Sequence, residues 1–572
     1  MKMKRIILIA ALAAASLGAS AQTMYDAMMF SQNDYFGTAR SMSMGNAVTA
    51  LGGDLGSIGI NPAGSAVARY SQFVVTPGLT VSLVSSQYSP EGEKAYGSAT
   101  AMRHTRMTLP NIGATATWET GKRYGVKTLT FGFLSNQTNN FNYAADAYGN
   151  NSRTSKVAEF ADAARGISEV YLPSSREYDP YDNSDVDWDV LTAYNGGMFG
   201  TYGFDGEYAG VTEMISDNGD YHFVPGTLAQ TSSVTKVGSK NDMIFNFGMN
   251  ISDRVYVGFN LGMPIGHYHY TESFYEAAVN PDQFSIVYDD GGIVNFMRAA
   301  YNYQYIAEMA GIYASLGVIF RPTDNLRLGA SIQSPTAFTI SESWQYYAST
   351  GYSDSIYNDE ETSPSGEYSY CLRSPYRASF GAAYTLGKKG LISVDYELTD
   401  YSVMRYSPLH MERMANDAFI AQNLTNKNFA GVAHAVRVGG ELKVTPAFSV
   451  RAGYSFSTSP ERWWTNTDGQ EVTADDYNTD FDYYFNRIKN LVTPHYYGDK
   501  TQSFSAGVGY SSAGSFFADA AVRLTQYPVT TFSPYYDYSN FDSAGSLVNV
   551  LSPRIRNVYD LWSAALTIGW RF

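Results

Sequence analysis

The chain predicts an all-β protein: a transmembrane antiparallel β-barrel of about fourteen strands with an N-terminal plug inside the lumen. Three observations predict it. First, the last strand, Leu561 to Phe572, alternates strictly, with Trp562, Ala564, Leu566, Ile568, Trp570 and Phe572 on one face and Ser563, Ala565, Thr567, Gly569 and Arg571 on the other. Such a strand separates oil from water, and aromatics at both ends of its apolar face suit the two interfaces of a bilayer. Second, the same alternation recurs along the whole chain. Third, the connections alternate between tight turns and long loops.

The first residues set the compartment. Lys2, Lys4 and Arg5 precede an apolar run from Ile6 to Leu17, and Ala19-Ser20-Ala21 precedes Gln22. This pattern is that of a cleaved secretory signal, residues 1–21, too short to cross a bilayer as a helix. A lipoprotein would carry a cysteine after the cleavage site, but the single cysteine is Cys371, so neither a lipid anchor nor an internal disulfide is expected. The 39 Lys and Arg, less the three of the leader, against 54 Asp and Glu leave a mature net charge of about −18, which argues against nucleic acid. Mean hydropathy is −0.23, a value that would suggest a soluble protein. Barrels defeat that test because half of each strand faces water or lumen.

Strands are expected at about 71–88, 105–119, 126–140, 241–251, 254–270, 303–321, 325–340, 369–386, 390–405, 432–444, 447–457, 500–511, 514–527 and 558–572. The clearest reads Val255, Val257, Phe259, Leu261, Met263, Ile265 on one face. Short turns fall at 120–124, 252–253, 322–324, 387–389, 445–446 and 512–513, and long loops at 89–104, 141–240, 271–302, 341–368, 406–431, 458–499 and 528–557. One rim of turns and one of loops is the asymmetry of outer-membrane barrels, with short turns on the periplasmic side. A tilted strand needs about eleven residues to cross, so most of the chain is expected to be loop and plug. The Tyr- and Asp-rich loops, such as 178–189 and 475–484, should stand above the membrane.

If the apolar parity faces lipid, the other faces the lumen. There it is charged: Arg377, Asp395, Glu397, Arg437, Glu441, Lys443, Arg451, Asp519 and Arg523. Counting back from the 387–389 turn puts Arg377 near Glu397 and Thr399, within reach of a cross-strand ion pair. These charges either hold the barrel closed or anchor a plug and line a route. Residues 22–70 suit a plug folded back inside the lumen, the alternative being a disordered periplasmic extension: Gly37, Gly45, Gly52, Gly53, Gly56, Gly59 and Gly64 lie among small residues and Met42, Met44, Leu51, Ile58 and Ile60 without a barrel-strand pattern. The barrel is then residues 71–572.

Three places resemble the outer-membrane transporter family for long-chain fatty acids and other hydrophobic compounds, the FadL/TodX type. The stretch Tyr35 to Arg40, through Met44-Gly45 and Ala50 to Asp54, to Asn61-Pro62-Ala63-Gly64 resembles its plug segment. Arg437 to Glu441, Thr445-Pro446, Arg451 to Tyr454 and Ser459-Pro460 are similar to its late hairpin. The end at Trp570 and Phe572 resembles the signal read by the barrel-assembly machinery. The resemblance implies an outer-membrane channel, monomeric and without cofactor, in which a hydrophobic ligand is captured among outer loops, passes to a pocket beside the plug and leaves sideways at a kink in the third strand. Gly132 is the only glycine within that strand. Loop residues suited to capture are Phe160, Val170, Leu172, Trp188, Val190, Leu191 and Met198.

Other chemistries find little support. None of the seven histidines sits in a catalytic motif, and His267 and His269 share the lipid-facing parity. Asp179, Asp182, Asp185, Asp187 and Asp189 lack the glycine and terminal glutamate of a calcium loop. A TonB-coupled transporter would need about 22 strands. A receptor for haem or another large ligand, or a structural or adhesive surface barrel, remain the alternatives.

Overall fold

The computed structural model describes residues 22–175, 177–201, 203–215, 222–287, 291–409, 419–474, 491–541 and 547–572. The leader 1–21 and the stretch 475–484 lie outside the described residues. Fourteen strands form one closed antiparallel barrel. They are β1 (Gln72–Ser89), β2 (Thr100–Glu119), β3 (Val126–Asn140 and Tyr143–Asn151), β4 (Leu228–Ile251), β5 (Val255–Ala278), β6 (Ile293–Phe320) and β7 (Leu326–Gln333 and Ala337–Tyr352). Then come β8 (Gly366–Arg373 and Arg377–Thr385), β9 (Gly390–Asp400 and Arg405–Pro408), β10 (Val432–Lys443), β11 (Phe448–Thr458), β12 (Lys500–Ser511), β13 (Phe516–Gln526 and Thr530–Phe532) and β14 (Arg554–Arg571). Each pairs with its neighbours in order, and β14 closes on β1 from Gln72↔Arg571 to Ser89↔Arg554.

Each expected strand is present, but several are much longer than a membrane crossing requires. β4 and β5 run 24 residues and β6 runs 28. Their outer halves continue the ladder above the apolar band, so the expected hundred-residue loop shrinks to residues 152–227. The tight rim keeps its chemistry: Ser252 and Asp253 both have positive φ, 54° and 59°, as a two-residue hairpin turn needs. Lys127 and Arg69 clasp the Asp253 carboxylate at 2.6 and 2.7 Å.

Outward residues form an apolar band, with Phe259, Leu316, Leu328, Phe380, Ile392, Val450, Val508 and Leu566 all exposed. An aromatic row marks its turn-side edge: Phe448 and Tyr510 at 5.1 Å, Phe516 and Trp570 at 5.9 Å, Trp570 and Phe73 at 6.4 Å. Phe572 is exposed beside it. A closed barrel with such a surface satisfies its backbone internally and suits hydrocarbon outside.

Candidate functional site

Residues 22–70 fill the barrel. They comprise α1 (Met24–Ser31), α2 (Ala39–Ser43), α3 (Leu55–Ile58) and a 3-10 helix (Pro62–Val67). Helix α1 starts with a capping box between Thr23 and Asp26. Its last carbonyls are held by cations of the wall: Lys240 Nζ donates to Phe30 and Gln32 at 2.9 and 2.6 Å, and Arg377 donates to Ser31. Cations at a helix C-terminus also complement its dipole.

Asn61 is fully buried and does three things. Its Oδ1 caps the 3-10 helix by accepting from Ala63 N at 3.0 Å, while Nδ2 donates to Thr49 O at 2.7 Å and to Val318 O of β6 at 3.2 Å. Pro62 follows at the first helical position, where no N–H is needed. Gly64 O accepts from Gly53 N at 2.8 Å, joining two turns of the segment. Gly45 adopts φ +62° against Tyr454 of β11 and donates to Ser505 Oγ at 3.2 Å.

The lumen charges divide into two clusters. In one, Glu397 lies 3.6 Å from Arg377 and 3.1 Å from Arg437. In the other, Arg40 meets Glu441 at 3.1 Å, Arg451 meets Glu441 at 2.7 Å, and Arg451 meets Asp519 at 2.5 Å. Asp395 accepts from Thr49 N at 2.7 Å, and Arg523 donates to Tyr35 O at 3.0 Å and pairs with Asp34 at 3.3 Å. Arg40, Asp34 and Thr49 belong to the N-terminal segment, so the charges join it to the wall. Lys443 differs: it is exposed at the turn-side end of β10.

A belt of glycines, missed from the sequence, makes room for this segment. Gly248, Gly258, Gly317, Gly329, Gly381, Gly439, Gly453 and Gly507 come from β4 to β8 and β10 to β12. A side chain on any of them would strike backbone or side-chain atoms of residues 43–66. Gly258 lies opposite Gly248 and Gly317, Gly329 opposite Gly381, and Gly439 opposite Gly453. Glycine within a strand marks close approach of another backbone. The available signal was glycine on the lumenal parity of consecutive strands.

Above the N-terminal segment the lumen is aromatic. Tyr268 contacts Phe30 at 6.0 Å, Phe141 at 5.1 Å and Tyr305 at 6.1 Å. Tyr303 stacks on Tyr346 at 4.9 Å and meets Tyr270 at 6.0 Å, and Trp344 meets Trp188 at 6.3 Å. The column therefore runs from α1 to the loop 152–227. That loop forms a cap with its own core on α4 (Lys156–Ala163), α5 (Pro180–Asn183) and α6 (Trp188–Asn195). Phe160, Leu172, Val190, Leu191 and Met198, expected at a capture surface, are buried in that core because they pack on one another and on Phe296, Tyr301 and Tyr352 of the wall. Val170 is exposed, and Trp188, half-buried, is the one that faces the column. Asp179 caps α5 through Tyr181 N at 3.0 Å. Burial pushes the Glu159 carboxyl up to about 7, and burial followed by the Asp189 charge pushes Asp187 to about 6.

The ladder breaks at β3, where Asn142 Nδ2 donates to His104 O of β2 at 3.3 Å. From Asn111↔Asn136 to Glu119↔Thr128 β3 pairs with β2, but it breaks at Phe141-Asn142, and Tyr143–Asn151 pairs only with β4. Among the described residues, Thr100–Pro110 of β2 thus has no ladder partner on that side. Gly238 of β4, at φ +143°, lies beneath the break and receives Phe141 N. The kink therefore sits at Phe141-Asn142 and not at Gly132, which lies within the regular ladder. Phe141 links this gap to the aromatic column. A separate concavity of about 770 Å³ across β11–β14 and β1 faces outward, lined by Leu79, Val450, Val508, Val522 and Leu566.

No family model matches the chain, and no curated protein matches its sequence. Similar solved structures include a Pseudomonas aeruginosa FadL homologue, at 12% identity over 95% of this chain and 99% of that one, with a TM-score of 0.45. The Pseudomonas putida toluene transporter TodX is 10% identical over 94% of this chain and 98% of its own, TM-score 0.43. The CymD monoaromatic hydrocarbon channel is 10% identical over 94% and 97%, TM-score 0.40.

Proposed function

We propose that this protein is an outer-membrane channel for passive entry of hydrophobic compounds, long-chain fatty acids among them. The observation that carries the reading is the unpaired edge of β2 facing the break in β3, reached from the cap by a continuous aromatic column. A water-filled pore gives an apolar molecule no favourable path, whereas an aromatic interior with a sideways exit keeps it out of water throughout. In this reading the ligand enters beside Trp188, descends past Tyr346, Tyr303 and Tyr268, and leaves into the bilayer between β2 and β3. Residues 22–70 act as the plug that closes the periplasmic side, with Asn61 and Arg40 as its fixings and the lumen charges as its anchors. The barrel works as a monomer without cofactor or metal, and Trp570 and Phe572 serve recognition by the assembly machinery.

Uptake of a labelled long-chain fatty acid and of toluene into proteoliposomes tests the proposal. Thr108→Trp, near the lower end of the unpaired edge where it meets the apolar band, should slow both several-fold, and deletion of residues 22–64 should change the rates without preventing barrel assembly. Equal rates for all three proteins would sink both the exit and the plug.

A further inference from the structure

Two arginines face each other on the outside of the barrel. Arg373 of β8 and Arg405 of β9 are register partners, and both are exposed. Directly opposite residues have Cβ atoms about 4.5–5.5 Å apart, and like charges so placed repel. Among the described residues neither arginine has an ion pair or a side-chain hydrogen bond. The nearby Asp400 carboxylate is occupied by Ser402 of its own turn, at 2.6 and 3.0 Å.

Their height in the wall is informative. Arg373 lies twelve residues from Thr385 at the turn-side end of β8. At about 3.3 Å per residue and a tilt of about 40°, this is roughly 30 Å up, just above an apolar band about 25 Å tall. Neighbouring strands agree: the row reads Ile312, Ala337, Arg373, Arg405 across the register, with apolar Leu328, Ile332 and Phe380 below and Thr339, Ser341 and Ser369 above. Arg373 therefore stands at the headgroup level of the outer leaflet, and Arg405, fifteen residues from Gly390 and beyond the Tyr401–Val403 turn, stands just above it.

A pocket is built beside them. β7 and β8 both break, at Ser334-Pro335-Thr336 and Ser374-Pro375-Tyr376, and the register on either side, Gln333↔Arg377 and Ala337↔Arg373, places Pro335 opposite Pro375. Neither proline can donate to a ladder. Serine side chains mend the seam: Ser374 Oγ accepts from Thr336 N at 2.9 Å and Ser334 Oγ from Ala314 N at 3.0 Å. The pucker leaves an outer pocket of about 320 Å³ lined by Pro335, Ala337, Thr339, Cys371, Arg373 and Ser407.

We propose that Arg373 and Arg405 clamp a phosphate of an outer-leaflet glycolipid, whose sugar occupies the pocket over the proline seam. A phosphate removes the repulsion between the guanidiniums, which bind it through paired N–H groups. Thr339 and Ser407 supply hydroxyls at the pocket wall, and Ala337 leaves space for a sugar ring. Acyl chains then continue down over Ile312 and Ile332.

Native mass spectrometry of the purified full chain in detergent, titrated with diphosphorylated lipid A, its dephosphorylated form and phosphatidylglycerol, tests the site. The wild type should bind the phosphorylated glycolipid at least tenfold more tightly than either control, and Arg373→Ala with Arg405→Ala should abolish that preference. Arg373→Lys with Arg405→Lys retains the charge but not the paired N–H groups and should keep only part of it, and Arg405→Gln alone reports if the double alanine variant does not assemble. Equal binding by wild type and alanine variants, or indifference to the phosphate, overturns the proposal. Equal affinity for phosphatidylglycerol overturns the glycolipid assignment.

Discussion

The cap and the N-terminal segment both pack against the barrel wall, yet hydrogen bonds to the backbone carry far more of the hold on the second. The cap packs side chain on side chain: Phe160, Leu172, Leu191, Met198 and Phe199 form a core shared with Phe296 and Tyr301. The N-terminal segment packs as well, with Phe36, Met42, Leu55 and Ile58 against the wall, but it is also gripped along its backbone. Wall side chains donate to its carbonyls at Phe30, Tyr35, Leu51, Ile58, Ile60 and Pro62, from Lys240, Arg523, Arg327, Asn260, Ser331 and Asn246. Apolar packing is non-directional and tolerates exchange, whereas hydrogen bonds to a backbone fix one position. The difference separates a lid that can be loosened from a segment that is pinned.

The strongest test of pinning is Glu441→Ala. It leaves Arg451 and half-buried Arg40 without their shared carboxylate, and breaking a buried pair costs about 3–5 kcal/mol. Hydrogen exchange around residues 38–46 should accelerate by more than a hundredfold while the cap is unchanged; an unchanged rate would mean that the backbone contacts suffice. Gly317→Val comes next. Its side chain meets Asn61 and Pro62, and overpacking costs about 1–3 kcal/mol. A crystal structure of this variant should show residues 60–64 displaced from β6 with the barrel closed.

These two residues also show what could be read beforehand. Glu441 was legible because its parity alone places it inside. Gly317 was not, because a glycine's meaning depends on register: only cross-strand alignment shows that Gly248, Gly258 and Gly317 are neighbours under Pro62. All fourteen strands were legible from alternation and turns, since one face meets oil along the whole crossing. Their outer lengths were not, because above the apolar band a strand such as Thr271–Ala278 loses the contrast that reveals it. Pro335 and Pro375 lie inside expected strands and should have marked breaks. The buried cap residues misled because apolar loop residues look alike whether they face a ligand or one another.

Asn61→Ala sharpens the same comparison more gently. It removes the bonds to Thr49 O and Val318 O and the cap on Ala63, for about 1–3 kcal/mol. Exchange protection at Thr49–Leu51 should fall roughly tenfold or more, with Tyr454 and the barrel ladder unaffected.

The smallest effect concerns the cap alone and depends on pH. Burial raises Glu159 from its ordinary 4.5 to about 7; Lys156 at 3.8 Å opposes this, while the Asp189 and Asp162 charges reinforce it. A carboxyl whose value is raised on folding favours the closed state while protonated. That stability is complete below about 4.5 and is lost as pH rises towards 7, since the open cap releases its proton first. Asp187, held near 6, acts in the same direction. Trp188 fluorescence quenching by iodide and exchange at Val157–Ala164 should therefore both increase from pH 5 to pH 8. Glu159→Gln should flatten much of that rise, leaving the part due to Asp187. The N-terminal segment should not follow, because Asn246, Asn260 and Ser331, which hold its carbonyls, do not titrate. If cap and segment loosen together between pH 5 and 8, they form one mechanical unit and the contrast between them fails.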